Sequence, residues 1–156
     1  MNYAKAQKDV LTQLIKNSKA VINCLTPENK VILIVNGVLG FVFPEDLNWI
    51  DVDRIEAVCN LQNLHLPLMD ARNKLEPTEN LIDNGSVLAR EFKKIWHDGG
   101  AKSIYIQEQY LKNFDSPTFY QNLNNQKGLI AITEFSELEG EILVGFVMPY
   151  KKKEDA

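Results

Sequence analysis

The sequence predicts an α+β domain with two main helices on an antiparallel-rich sheet. Three observations predict it. Residues 3–18 repeat apolar side chains at helical spacing, and residues 31–43 hold two β-rich runs around Asn36-Gly37. The last third of the chain sets strand-like runs around one short helical segment.

In residues 3–18, Tyr3, Ala6, Val10, Leu11, Leu14 and Ile15 fall on one side, while Lys5, Lys8, Asp9 and Lys16 lie mainly elsewhere. Lys16 and Lys19 stand where a helix C-terminus favours positive charge. The period then changes. Runs 31–35 and 38–43 flank Asn36-Gly37, two residues that tolerate the positive φ of a tight hairpin turn. Pro44 ends the second run, since it has no N–H to give a ladder. Residues 50–58 fit a strand or a short helix, and 61–69 alternate at Leu64, Leu66 and Leu68 and read as extended up to Pro67.

Residues 70–85 are polar, are broken by Pro77 and Gly85, and read as a surface connection. Ser86 then caps a second helix, with Val87, Leu88, Phe92, Ile95 and Trp96 as its buried stripe and Gly99-Gly100 as its stop. A strand at 103–106 precedes a short helix at 108–114, which ends before Pro117. The chain finishes with a strand at 129–133, a turn around Glu137-Leu138-Glu139-Gly140 and a last strand at 142–148. These elements make one domain over residues 1–150, divisible into halves 1–70 and 86–150, with a charged tail at 151–156.

A chain of 156 residues, 45% hydrophobic and 24% charged, is long enough to bury a sizeable core without a disulfide or metal staple. The net charge of −4 lacks the Lys and Arg excess by which a dedicated nucleic-acid binder neutralises phosphate, so charge does not indicate DNA contact. Cys24 and Cys59 sit in apolar surroundings and read as small core residues in a reducing compartment; the alternative, a Cys24–Cys59 disulfide, has no spacing signature behind it. The N-terminus carries no apolar run of signal-peptide length and no segment reaches membrane-span length; the expected location is the cytoplasm, with no membrane partner.

No residues form a recognisable catalytic or metal-binding constellation. His65 lies within an apolar alternation, and His97 precedes Asp98, a neighbour that rarely has the geometry to orient an imidazole. Metal-ligand spacings of Cys and His are missing; Glu45, Asp46, Asp51 and Asp53 form an acidic set of the kind that chelates Mg²⁺ in nucleases, although such a set more often solvates a loop. Gly37 and Gly40 lack the Lys-Ser/Thr of a phosphate loop, and Ser86 and Ser103 lack a nucleophile elbow. Phe41, Phe43, Trp49, Tyr105, Phe119 and Tyr120 lack the interleaved basic residues of a base-stacking platform and suit core packing. The expectation is therefore a chain without enzymatic activity, cofactor or metal.

Three segments near the end carry a resemblance: Ile104 through Phe114 with its Tyr110-Leu111 pair, Gly128 through Glu134, and Glu141 through Lys151 with Val147-Met148-Pro149. Their order resembles the end of bacterial sliding-clamp β subunits, where a strand leads into a short helix with a Tyr-Leu pair and the chain closes on Val-Met-Pro and a basic residue. The N-terminal helix and hairpin suit the βαβββ half-unit of clamp domains. The match covers roughly the last fifty residues. A clamp subunit has three such domains and this chain has room for one, so the usual dimeric ring is not open to it.

In that family the C-terminal residues help line a pocket for short peptides, which implies Val147, Met148 and Pro149 as partner-binding candidates. A methionine there adapts to varied apolar partners; the alternative is that Val147 and Met148 are core residues of the last strand. The function expected is a non-catalytic protein-binding or assembly module linked to DNA replication or a mobile element, with a protein or peptide partner and room for self-association. The alternatives are a small metal-dependent nucleic-acid-processing enzyme and a self-assembling structural subunit.

Overall fold

The computed structural model describes residues 1–25, 30–35, 38–43, 60–62, 72–95, 100–122 and 128–151, and among them one α-helix stands against a ten-stranded sheet. The helix α1 (Tyr3–Asn17) starts at Asn2, whose side-chain Oδ1 accepts the Lys5 amide at 3.1 Å and whose carbonyl accepts the Ala6 amide at 3.0 Å. Ala6, Gln7 and Val10 are its buried face, and Tyr3 meets the Phe43 ring at 6.4 Å. The expected apolar side divides: Leu11 and Ile15 point to solvent.

The strands are β1 (Ile22–Leu25), β2 (Lys30–Ile34), β3 (Leu39–Phe43), β4 (Asn60–Gln62), β5 (Arg72–Asp83), β6 (Leu88–Ile95), β7 (Ala101–Gln107), β8 (Thr118–Asn122), β9 (Ile130–Ser136) and β10 (Gly140–Val147). Their order is β4-β1-β2-β3-β10-β9-β8-β5-β6-β7. Neighbours run antiparallel except β4, which lies parallel to β1.

One bridge shows that this sheet curls. Val147 pairs with Leu39 of β3, yet Tyr150 bridges Tyr105 of β7, five strands away from β10. A flat sheet would separate those strands by roughly 24 Å, and three residues reach only about 10 Å. The strands from β10 to β7 therefore bend into a barrel-like wall, with the outgoing chain as its clasp. Ile32, Phe41, Leu75, Phe92, Ile104, Phe119 and Ile132 fill the main core, together with α1. β2, β3 and β10 also bury their other face through Val31, Leu33, Val42 and Phe146.

The structure corrects three expectations. The second main helix does not form: residues 88–95 are strand β6, paired with β5 on one side and β7 on the other. Val87, Leu88, Phe92 and Ile95 fit a helical stripe, but Phe92 and Lys94 on one face and Ala89 and Glu91 on the other also fit a strand, and two neighbouring strands decide for the latter. Ser86 is no helix cap; its N–H and hydroxyl both bond Asn84 Oδ1 within a hairpin turn, where Gly85 has φ of 94°. The polar stretch 70–85 is largely strand β5, whose Pro77 sits where the pairing with β6 shifts register. The expected helix at 108–114 is only a 3-10 turn, Glu108–Leu111.

Other expected elements agree. Strands β2 and β3 pair with Ile34 opposite Leu39, while the Asn36-Gly37 turn itself lies outside the described residues. β7, β9 and β10 stand at or near the expected positions, and β9 and β10 are joined at Glu137-Leu138-Glu139 with Gly140 at φ of 76°.

Candidate partner-binding groove

The β5–β6 hairpin turn, the end of β7 and the Glu108–Leu111 turn meet around an open groove of about 250 Å³. Ser86, Val87, Leu88, Gln107, Glu108, Gln109 and Lys112 line it. Asn84 shapes one wall: its Oδ1 takes the amides of Ser86 at 3.2 Å and Val87 at 2.7 Å. The opposite wall is held by a two-pronged ion pair, Arg90 Nε to Glu108 Oε2 and Arg90 Nη2 to Glu108 Oε1, both 3.0 Å. Glu108 in turn raises the guanidinium pKa of Arg90 above its ordinary value. Gln109 Nε2 donates to Gln107 Oε1 at 2.9 Å, which places two adaptable amides side by side.

The clasp ends beside this groove. Tyr150 N–H donates to Tyr105 O at 2.7 Å, and Asn84 Nδ2 donates to the Tyr150 hydroxyl. Of the residues expected to bind a partner, Val147 is fully buried in the main core, while Met148 and Pro149 are half-buried between β3 and the clasp. The Met148 amide donates to Val38 O at 2.7 Å. None of the three lines the groove. Tyr110 and Leu111 pack against the main core, where burial pushes the Tyr110 hydroxyl pKa up.

Two polar clusters escaped the sequence reading. Residues 78–80 bulge opposite Glu91, and the Glu91 carboxylate supplies acceptors where the ladder is broken: Thr78 Oγ1 and Asn80 Nδ2 donate to Oε1, each at 3.1 Å. On its other side Ser103 Oγ at 3.0 Å and Tyr105 OH at 3.3 Å donate to Oε2. Burial pushes the Glu91 carboxyl up, but hydrogen bonds from Asn80, Ser103 and Thr78, with the charge of Lys93, hold it below its ordinary value. Lys94, fully buried, donates from Nζ to Gln121 Oε1 at 3.1 Å, and Gln121 Nε2 donates to Gly128 O at 2.9 Å. Burial, and then Lys102, lower the Lys94 ammonium pKa. The sequence held no local signal for either, since Glu91 and Lys94 interrupt any apolar alternation in residues 88–95 and their partners lie on other strands.

Phe41, Phe43 and Phe119 are core, as their strand spacing suggests, and Tyr105 and Tyr120 bond Glu91 and Glu141 through their hydroxyls. His65, His97, Glu45, Asp46, Asp51, Asp53, Trp49 and Cys59 lie outside the described residues. Among the described residues no group of three or more His, Cys, Asp or Glu is placed to hold a metal, and no helix is long and apolar enough to cross a membrane. The chain matches no family model, and no curated protein or solved structure is significantly similar to it.

Proposed function

We propose that this chain is a non-catalytic binding module that takes a short extended peptide in the groove between the β5–β6 turn and residues 107–112. The lining carries the reading. Val87 and Leu88 offer apolar surface, while Gln107 and Gln109 offer amides that donate and accept as a peptide backbone requires. Glu108, the carboxylate of the groove, is already committed to Arg90. A volume of about 250 Å³ suits a few residues of a segment and lies below the usual size of small-molecule sites, ~300–1,000 Å³.

The sliding-clamp resemblance would set this role in DNA replication. Paired clamp halves require a second helix, however, and the described part of residues 86–150 contains no helix longer than the Glu108–Leu111 turn. We take from the resemblance the peptide-binding use of the chain's end, with Met148 and Pro149 as flanking contacts beside the clasp.

Selection from a displayed peptide library, followed by chemical-shift mapping of the best peptide, tests the proposal. Micromolar binding with shifts at residues 86–88 and 107–112 is expected, since a small groove gives little area against the cost of ordering a peptide. Shifts confined to another surface, or no selected peptide, would refute it.

A further inference from the structure

Away from the groove, two exposed apolar patches carry opposite charge. On α1, Leu11 is 48% exposed and Ile15 87%. Lys8, Leu11, Thr12 and Ile15 share one face of the helix at three- and four-residue steps, and Lys19 follows in the 3-10 turn Ser18–Ala20 just past its end, so the apolar pair is flanked by lysines. The acidic residue of this helix, Asp9, is engaged elsewhere by Asn113 Nδ2 at 2.8 Å. The second patch is the tip of the β9–β10 hairpin, where Phe135 is 77% exposed and Leu138 96%. Glu137, Glu139 and Glu141 surround them, and no Lys or Arg occurs between residues 128 and 150.

We infer that these patches are the two halves of one head-to-tail interface, and that the partner of each is a second copy of this chain. Phe135 and Leu138 of one copy lie on Leu11 and Ile15 of the next, with Glu137 and Glu139 facing Lys8 and Lys19. The charges exclude the symmetric alternatives, because tip on tip sets glutamates against glutamates and helix on helix sets lysines against lysines. A contact of unlike patches leaves one of each free at the ends and grows into a ring or a filament. Its apolar part is four side chains, well under the area of a standard stable complex, so association is weak and concentration-dependent. This interface is separate from the groove and does not depend on its peptide.

Sedimentation velocity on the purified chain over a hundredfold concentration range, at low and at 0.5 M salt, tests the inference; the salt level is chosen as roughly several times physiological, where surface charges are screened. The expected result is reversible growth beyond the dimer that weakens at high salt. Ile15→Glu and Leu138→Glu should each raise the apparent dissociation constant at least tenfold. Both positions are exposed, and unchanged melting curves will show that both variants fold. An equimolar mixture of the two variants is decisive: one copy retains an intact tip and the other an intact helix face, so it should form dimers and nothing larger. A monomeric parent chain at all concentrations, variants that associate as the parent does, or a mixture that stays monomeric would each overturn it.

Discussion

Phe114 occupies the space that a side chain at Gly145 would need. A Cβ at position 145 would lie 2.8 Å from Phe114 Cζ and 2.6 Å from the carbonyl oxygen of Gly40. The bulge in β10 between Leu143 and Gly145 turns this glycine toward the ring, which also meets Phe41 at 6.0 Å. Phe114, three residues beyond the Glu108–Leu111 turn, is thereby locked to the last strand, and the groove is anchored to the core.

Gly145→Ala should consequently destabilise the fold by about 1–3 kcal/mol, the usual cost of overpacking. The aromatic ring can shift, but the Gly40 backbone cannot move without disturbing its pairing with Leu33 and Phe146. Urea denaturation measures the effect; an unchanged midpoint would mean that β10 adjusts freely.

Glu91 gives a pH-dependent prediction. Its folded carboxyl pKa is depressed, so its contribution to stability is complete above the unfolded value and is lost as pH falls through the folded one. Unfolding midpoints should therefore drop with acid below about pH 4.3, the ordinary Glu value. Glu91→Gln should cost ~1–3 kcal/mol at neutral pH, because an amide turns an N–H₂ toward groups that are themselves donors. The same variant should show a shallower acid slope than the parent.

The hairpin turn at the groove depends on Gly85, whose φ of 94° a β-branched residue resists. Gly85→Val should destabilise by about 1 kcal/mol or more and broaden the amide signals of Ser86 and Val87. Ordinary stability in that variant would show that the turn has another accessible conformation.

Val147 and Met148 should separate in alanine scanning. Val147→Ala removes two buried methyl groups and should cost roughly 2–3 kcal/mol. Met148→Ala, at a half-buried position, should cost less than ~1.5 kcal/mol while weakening peptide binding beside the clasp. Thermal melting and peptide titration on both variants read the two effects independently.

Much of the α1 helix, the β2–β3 pair and the β9–β10 hairpin was legible because each depends on neighbours a few residues away: periodic apolar residues, turn residues and a terminating proline. The β5–β6 hairpin had the same Asn-Gly signal, at Asn84-Gly85, but it was hidden by its strands. In β5 Leu75 is the buried apolar residue, and β6 places Glu91 and Lys94 at buried positions, so neither segment shows a simple apolar alternation. The groove was still less visible, since residues 86–88 and 107–112 come together through pairing of β6 with β7.

By itself the sequence determined the α+β class, the N-terminal helix, the strands at both ends of the chain and the burial of Phe41, Phe43 and Phe119, because local period and side-chain hydrophobicity decide these. Tertiary structure alone decided that residues 88–95 are strand, that Glu91 and Lys94 are buried, and that Leu11 and Ile15 face solvent while Ala6 and Val10 do not. The physical reason is common to all three. A buried charge is tolerated only where distant donors and acceptors reach it, as Thr78, Ser103 and Tyr105 reach Glu91. Which side of a helix is covered likewise depends on the sheet it meets, and no pattern within the helix contains that contact.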